Sequence, residues 1–296
     1  MIKSNTKAHL AVLTTNVLFG VNYAAIKFIT PSYIHPFGLN MARVLSALLL
    51  FWLLYLLKPG KAGIQQKHIP RFLICALTGV VINQLLFVKG LSLTTSIHAS
   101  LLSLGTPIFI TFIAAWILKE RLNLTKITGL VLGISGAGLL ILMKDNTHTG
   151  NNLLLGDTMV LFNSVSYAFY MVLVRPLMKV YSPFQVIRWV FTFGFVMMLP
   201  FAWSDFATTQ WHTFQLSQWL ILGLVCIGAT FLAYLFNIYG ISVIGASASG
   251  SYIYTQPVFA AIVAIAIMGE HLNLLKILSA LLIFSGVYLV NWKKTS

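Results

Sequence analysis

Acidic side chains are nearly missing from this chain: Glu120, Asp145, Asp157, Asp205 and Glu270 are all it has, against 19 Lys and Arg in 296 residues. All five fall at the ends of apolar runs or between them, so no span carries a carboxylate at mid-depth. Carriers coupled to protons or sodium commonly use membrane-embedded carboxylates, so carboxylate-based coupling is disfavoured. The sequence also contains no HExxH, no paired aspartates of an intramembrane protease, no Asp-rich metal and diphosphate motif and no phosphate-binding P-loop, which argues against the enzyme and ATP-driven pump classes. Cysteine is equally sparse. Cys75 and Cys226 lie inside apolar runs without metal-ligand spacing and read as core thiols. No metal or cofactor is expected.

Apolar residues fill the space that charge leaves. Hydrophobic residues make up 58% of the chain and charged ones 8%, with a mean hydropathy of +0.89, far outside the range of water-soluble domains. The formal charge of +14 would suggest nucleic acid on a soluble protein. Here it points to a lipid bilayer, because basic residues collect in cytoplasmic loops and acidic headgroups favour them there. No nucleic-acid partner is expected, and no oligomeric state is specified. The first apolar segment is too long for a cleavable signal and no small-residue cleavage site follows it, so it reads as the first span.

Apolar runs bounded by charge and turn clusters give ten candidate transmembrane helices: Ala8–Ile29, His35–Leu57, Arg71–Leu91, Thr95–Leu118, Leu124–Met143, Leu153–Val174, Pro183–Trp203, Trp219–Gly240, Ala246–Met268 and Leu274–Trp292. With the amino terminus inside, thirteen loop or terminal Lys and Arg fall inside and only Lys89, Lys144 and Lys276 outside, which places both termini in the cytoplasm. A short chain without a transit peptide suggests a bacterial cytoplasmic (inner) membrane.

The most specific feature is internal. Pro107–Leu139 aligns without a gap on Pro257–Leu289 at an offset of 150, with 14 of 33 pairs identical, among them Glu120 with Glu270 and Ser135-Gly136 with Ser285-Gly286. Lys27 faces Arg175 at an offset of 148. Residues 1–147 therefore form a first five-helix repeat and 148–296 a second. Five crossings are odd, so the second copy must be inverted. The loop charges agree, since Lys119 and Arg121 on one side become Gly269 and His271 on the other. The fold class is thus all-α integral membrane, ten helices in two inverted five-helix repeats around a central cavity.

Polar groups near mid-depth mark the helices that should line that cavity, because facing lipid would leave them unsatisfied. The candidates for substrate binding are Asn22 and Tyr23 in the first helix, Asn83 and Gln84 in the third, Ser103 and Thr106 in the fourth, Tyr167 and Tyr170 in the sixth, Tyr234 and Asn237 in the eighth, and Tyr254 and Gln256 in the ninth. Each taken alone is as well explained by a helix-to-helix hydrogen bond. Gly20 and the mid-helix Pro107 and Pro257 are candidate hinges. Glu120 and Glu270, beside loops, suit a helix-terminal or ion-pair role. For His98 a hydrogen-bonded structural role near the outer surface is favoured over a proton relay. Lys27 should snorkel to headgroups or pair at the interface, and Arg43, deeper in its span, should face protein or water. Gly129, Gly133 and Gly136 give the fifth helix a face for close packing, and it is assigned with the tenth to the edge of the bundle.

The segment Phe19-Gly20-Val21-Asn22, Arg43, and the paired ends Pro107–Asn123 and Pro257–Asn273 resemble the EamA type of the drug/metabolite transporter superfamily, over nearly the whole chain. That family usually begins the first motif with Trp, where this chain has Phe19. The resemblance implies that helices 1, 3, 4, 6, 8 and 9 line a cavity and that the protein exports small metabolites, amino acids or related polar and aromatic compounds, by alternating access. The competing expectation is a non-transporting membrane protein, a lipid-substrate enzyme or a scaffold. The first needs a titratable constellation at cavity depth; the second would tolerate loss of cavity polarity.

Overall fold

The computed structural model describes residues 2–58, 60, 63–119, 124–142, 152–237, 239–240, 243–244 and 252–291. Glu120, Asp145, Trp292 and the expected start of the ninth segment at Ala246 lie outside them. Among the described residues there are helices and turns and no strand. Eight of the helices among the described residues are long and apolar enough to cross a membrane. They are α1 (Ile2–Ile29), α2 (Pro36–Leu57), α3 (Gln66–Leu93), α4 (Ser96–Ile117), α5 (Leu124–Leu142), α6 (Leu153–Met178), α7 (Pro183–Ala207) and α8 (Leu216–Asn237). Two shorter apolar helices follow, α9 (Tyr252–Met268) and α10 (Leu274–Asn291). The ten-helix expectation holds.

Local chemistry sets several boundaries. Pro36 and Pro183 open α2 and α7 in the first turn, where a missing N–H costs nothing. The Ser182 hydroxyl caps α7 by accepting the Gln185 N–H, and Asn152 Oδ1 caps α6 through Leu155 N. After α9 the chain turns on Gly269 at φ 66°, and after α4 it turns on Lys119 at φ 55°, the residue 150 positions earlier. The duplication is therefore visible in backbone torsions as well as in sequence.

Helices α3, α4 and α8 depart from regular α geometry inside their spans. The i→i−5 pattern occupies Leu77–Val81 of α3 and Leu224–Leu232 of α8, which coincide at the repeat offset. α4 is discontinuous: Ser96–Ser103 and Thr106–Leu118 are separated by a turn at Leu104–Gly105. This corrects the expectation of Pro107 as a mid-helix kink. Pro107 sits in the first turn of the second piece, and Pro257 likewise follows the tight turn Tyr252–Thr255. The breaks precede the prolines because the ring fits a helix start and clashes with a helix interior.

The most extensive helix pairings correspond under exchange of the two halves. α5 packs on α10, α2 on α7 and α4 on α9, and the cross pairs match two by two: α3–α6 with α8–α1, α4–α6 with α9–α1, and α3–α7 with α8–α2. At the α5–α10 seam Gly136 lies against Ser279 and Ile283, and Gly286 lies against Gly129 and Gly133. Subtracting the 150-residue offset turns one set of contacts into the other, and they run in opposite directions along the chain. That is the geometry of an inverted repeat about a two-fold axis. The glycine face of the fifth helix thus meets its own repeat. The α2–α7 pair is also antiparallel, with Gly38 against the Asp205 backbone near one end and Trp52 Nε1 donating to Thr192 Oγ1 at 3.0 Å near the other.

Candidate functional site

The inner faces of α1, α2, α3, α6, α7 and α8 bring together an aromatic and polar cluster. Tyr167 and Tyr170 stand on α6 with ring centroids 5.7 Å apart, and Tyr234 of α8 packs edge-on against Phe19 (6.3 Å) and Phe191 (5.5 Å). Gly79, in the irregular turn of α3, lies directly under the Tyr170 ring: a Cβ there would come within 2.5 Å of it. The irregular turn of α8 contributes Thr230, whose hydroxyl donates to the Val225 carbonyl five residues back at 2.8 Å. Both departures from α geometry therefore serve the cluster, one by making room for a tyrosine and one by presenting a hydroxyl.

That hydroxyl receives the Arg43 Nε–H at 3.1 Å, a contact between the two halves. Arg43 is 4% exposed, within electrostatic reach of Tyr234 and Cys226, and its Nη1 has no hydrogen-bond partner among the described residues. The expectation that it faces protein is met. Its placement beside Thr230 and Tyr234 of the cluster was left out of the candidate site by sequence reasoning; the signal was a lone arginine seven residues inside an apolar span.

The twelve binding candidates divide. Tyr167, Tyr170 and Tyr234 share the cluster, with Tyr170 buried and the other two keeping accessible surface. Gln84 borders it through α2, its carbonyl accepting the Asn40 Nδ2 at 2.9 Å, while its own Oε1 is buried without a partner among the described residues, as is Asn22 Oδ1. Asn83 is engaged otherwise: Asn163 Nδ2 donates to the Asn83 carbonyl at 2.7 Å and Asn83 Nδ2 returns toward the Asn163 carbonyl at 3.5 Å. The same joint recurs in the other half, where Thr15 donates to the Ala233 carbonyl at 3.2 Å. Gln256 binds Asn16 Oδ1 at 2.8 Å, and Tyr23 packs on Phe87 at 5.4 Å with its hydroxyl against Ser103. Thr106 closes onto the Ser103 carbonyl at 2.6 Å, and Tyr254 packs at 6.3 Å on Phe284 of α10. Asn237 is partly exposed near the end of α8. Gly20 is a close-approach point, since a Cβ there would meet Phe259 of α9 at 2.5 Å.

At the end of the bundle away from the termini, a second group of polar residues is buried where the halves meet. Glu270 accepts the backbone N–H groups of Ser96 (2.7 Å) and Ile97 (3.0 Å), the free amides at the start of α4. Asp157 Oδ2 meets His98 Nδ1 at 2.9 Å, its Oδ1 accepts the Thr94 hydroxyl, and Lys27 Nζ donates to the Thr94 carbonyl. The helix-terminal role expected of Glu270 and the hydrogen-bonded role expected of His98 both hold. Lys27 turns inward to pair with the chain rather than reaching for headgroups. A crevice of about 210 Å³ nearby, between α4, α9 and α10, is walled by Ile97, Leu101, Pro257, Ala261, Leu281 and Phe284. Its surface is mostly apolar, with Ser100 and Lys276 also at the wall.

Ten apolar helices in two antiparallel halves, with polar groups turned inward and joined across the halves, define a polytopic membrane protein of the inverted-repeat type. The chain belongs to the EamA-like transporter family, whose model matches it twice, over residues 6–142 and 154–292. It is 26% identical to an uncharacterized transporter of Archaeoglobus fulgidus, over 98% of this chain and 99% of that one. It is 25% identical to a "probable terminal-alkyne amino-acid exporter" of Streptantibioticus cattleyicolor, over 97% and 94%. A solved crystal structure at 17% identity superposes with a TM-score of 0.64 over 96% of each chain and establishes the likeness of fold alone.

Proposed function

We propose that the protein exports small polar or aromatic metabolites, amino acids and related compounds foremost, by exchange of its two halves around the tyrosine and arginine cluster. The observation that carries this reading is the Arg43–Thr230 contact: a buried cation held across the halves, beside tyrosines that keep accessible surface. A site on a pseudo-two-fold axis can open to either side as the halves exchange conformations. The Glu270 and Asp157 joints at one end supply a closure of that end, which the reading takes as the outer one. The division at 147/148, cytoplasmic termini and a bacterial inner membrane belong to the same proposal. On this reading Gln84, Tyr167, Tyr170, Tyr234 and Asn237 bind solute, no residue reacts chemically, and Gly20, Pro107 and Pro257 mark positions about which the helices pivot. The exporter relative supports the solute class by its name, and the absence of a mid-span carboxylate fits exchange better than acid-coupled transport.

The test is counterflow in proteoliposomes against a panel of amino acids and metabolites, with Tyr170→Ala and Gln84→Leu alongside. Saturable movement weakened by both variants is expected. No solute movement across a broad panel by folded, monodisperse protein would overturn the transport reading in favour of a scaffold.

A further inference from the structure

We infer that Arg43 is the anchor for a carboxylate on the transported solute, so that the site takes carboxylate-bearing compounds and discriminates against their neutral or cationic analogues. The inference rests on the transport reading above and names the chemistry of its site. A guanidinium offers five N–H donors in a planar fork shaped for a carboxylate. Arg43 uses Nε on Thr230 at 3.1 Å and leaves Nη1 unbonded while nine-tenths and more buried. A cation in that state inside a bilayer carries a large desolvation cost unless a countercharge arrives.

The described protein supplies no such countercharge. Asp157 and Glu270 are occupied at the end of the bundle with His98, Thr94, Ser96 and Ile97. Asp205 stands near the end of α7, level with Gly38, more than one turn of α2 from Arg43. The groups near the guanidinium are neutral: Thr230, Cys226 and Tyr234.

Acceptors for a cationic group are available beside it. Asn40, one turn before Arg43 on α2, donates to the Gln84 carbonyl, and both Asn40 Oδ1 and Gln84 Oε1 are buried without partners among the described residues. A free donor on Arg43 and two free acceptors on the adjoining residues match a carboxylate and an ammonium on one small molecule, with the tyrosines left for the remainder.

The experiment uses matched solutes on purified full-length protein: phenylalanine, phenylalaninamide and phenethylamine as competitors of counterflow, and as ligands in thermal-shift binding. The wild type should bind and move the carboxylate compound and reject the other two by about tenfold or more, the scale of a hydrogen bond to a charged group. Arg43→Gln should abolish that discrimination, and Arg43→Lys should restore part of it. Movement of solutes with no preference for the carboxylate member would overturn the inference and leave the transport reading standing. If none of the three moves while only uncharged or cationic members of the broad panel do, the inference falls alone; no movement across the broad panel would overturn both. Because the wild-type comparison needs no variant, poor folding of Arg43→Gln does not shield the inference.

Discussion

The Glu270 carboxylate accepts the backbone N–H of Ser96 at 2.7 Å, so a residue in the second half completes the start of a helix in the first. A helix N-terminus presents unpaired N–H groups and a partial positive charge, and a carboxylate satisfies both. Glu270→Gln keeps the size but leaves a single side-chain acceptor for two amides, with its NH2 turned toward donors. The expected loss is about 1–3 kcal/mol of stability, the cost of an unpaired buried donor, read as a lower midpoint of thermal unfolding in lipid nanodiscs. An unchanged midpoint would show that the contact does not hold the halves together.

The α5–α10 seam allows a comparison within one helix. Gly136 has Leu282, Ile283 and the Ser279 carbonyl within 2.9 Å of where a Cβ would stand, whereas Gly138, two residues on, has nothing within 4 Å. Gly136→Val must therefore push the helices apart, a change of about 1–3 kcal/mol or more, while Gly138→Ala should be neutral or slightly stabilising through helix propensity. Monodisperse yield and thermal midpoint of the two variants check this. Equal behaviour would refute close packing at this seam.

Most of this architecture was legible in the residues because duplication leaves two copies of each signal. The offset of 150 between Pro107–Leu139 and Pro257–Leu289 and the loop charges together specified inversion, and the glycine spacing of the fifth helix indicated a close-packed face. What stayed hidden depends on contacts between distant segments. Nothing near Asn83 announces Asn163, nothing in Leu224–Leu232 announces an i→i−5 turn, and Asp157 and Glu270 read as helix ends until His98 and Ser96 are brought to them. A mid-span amide has equal local chemistry whether it binds solute or another helix. The tertiary partner decides between these roles, and for Asn83 it favours the helix joint.

Arg188, like Arg43, is an arginine buried inside a span, and its environment differs from that of Arg43. Its guanidinium lies 4.0 Å from the Tyr55 ring centroid and 4.7 Å from that of Trp52, with 1% of the residue exposed. Two aromatic faces give a desolvated cation about 2 kcal/mol or more of attraction, which makes this residue a structural clamp between α2 and α7. Arg188→Ala should lower thermal stability by at least that amount. The KM for solutes, measured below the new midpoint, should stay unchanged, whereas Arg43→Gln should raise it. A KM effect at Arg188 equal to that at Arg43 would contradict the division between clamp and anchor.

Lys119 and Gly269 occupy equivalent turns with the same left-handed backbone, φ 55° and 66°, yet only one of them is glycine. An L-residue with a side chain pays about 1 kcal/mol in that region, and glycine does not. Lys119→Gly should therefore raise stability by a few tenths to about 1 kcal/mol, after the added unfolded-state entropy of glycine is deducted. Gly269→Ala should lower it by a similar amount, although a Cβ there would meet nothing within 4 Å. Both shifts can be measured as thermal midpoints in one detergent. If Gly269→Ala is neutral, the turn after α9 relaxes to accept a side chain, and torsional strain no longer accounts for glycine at that position.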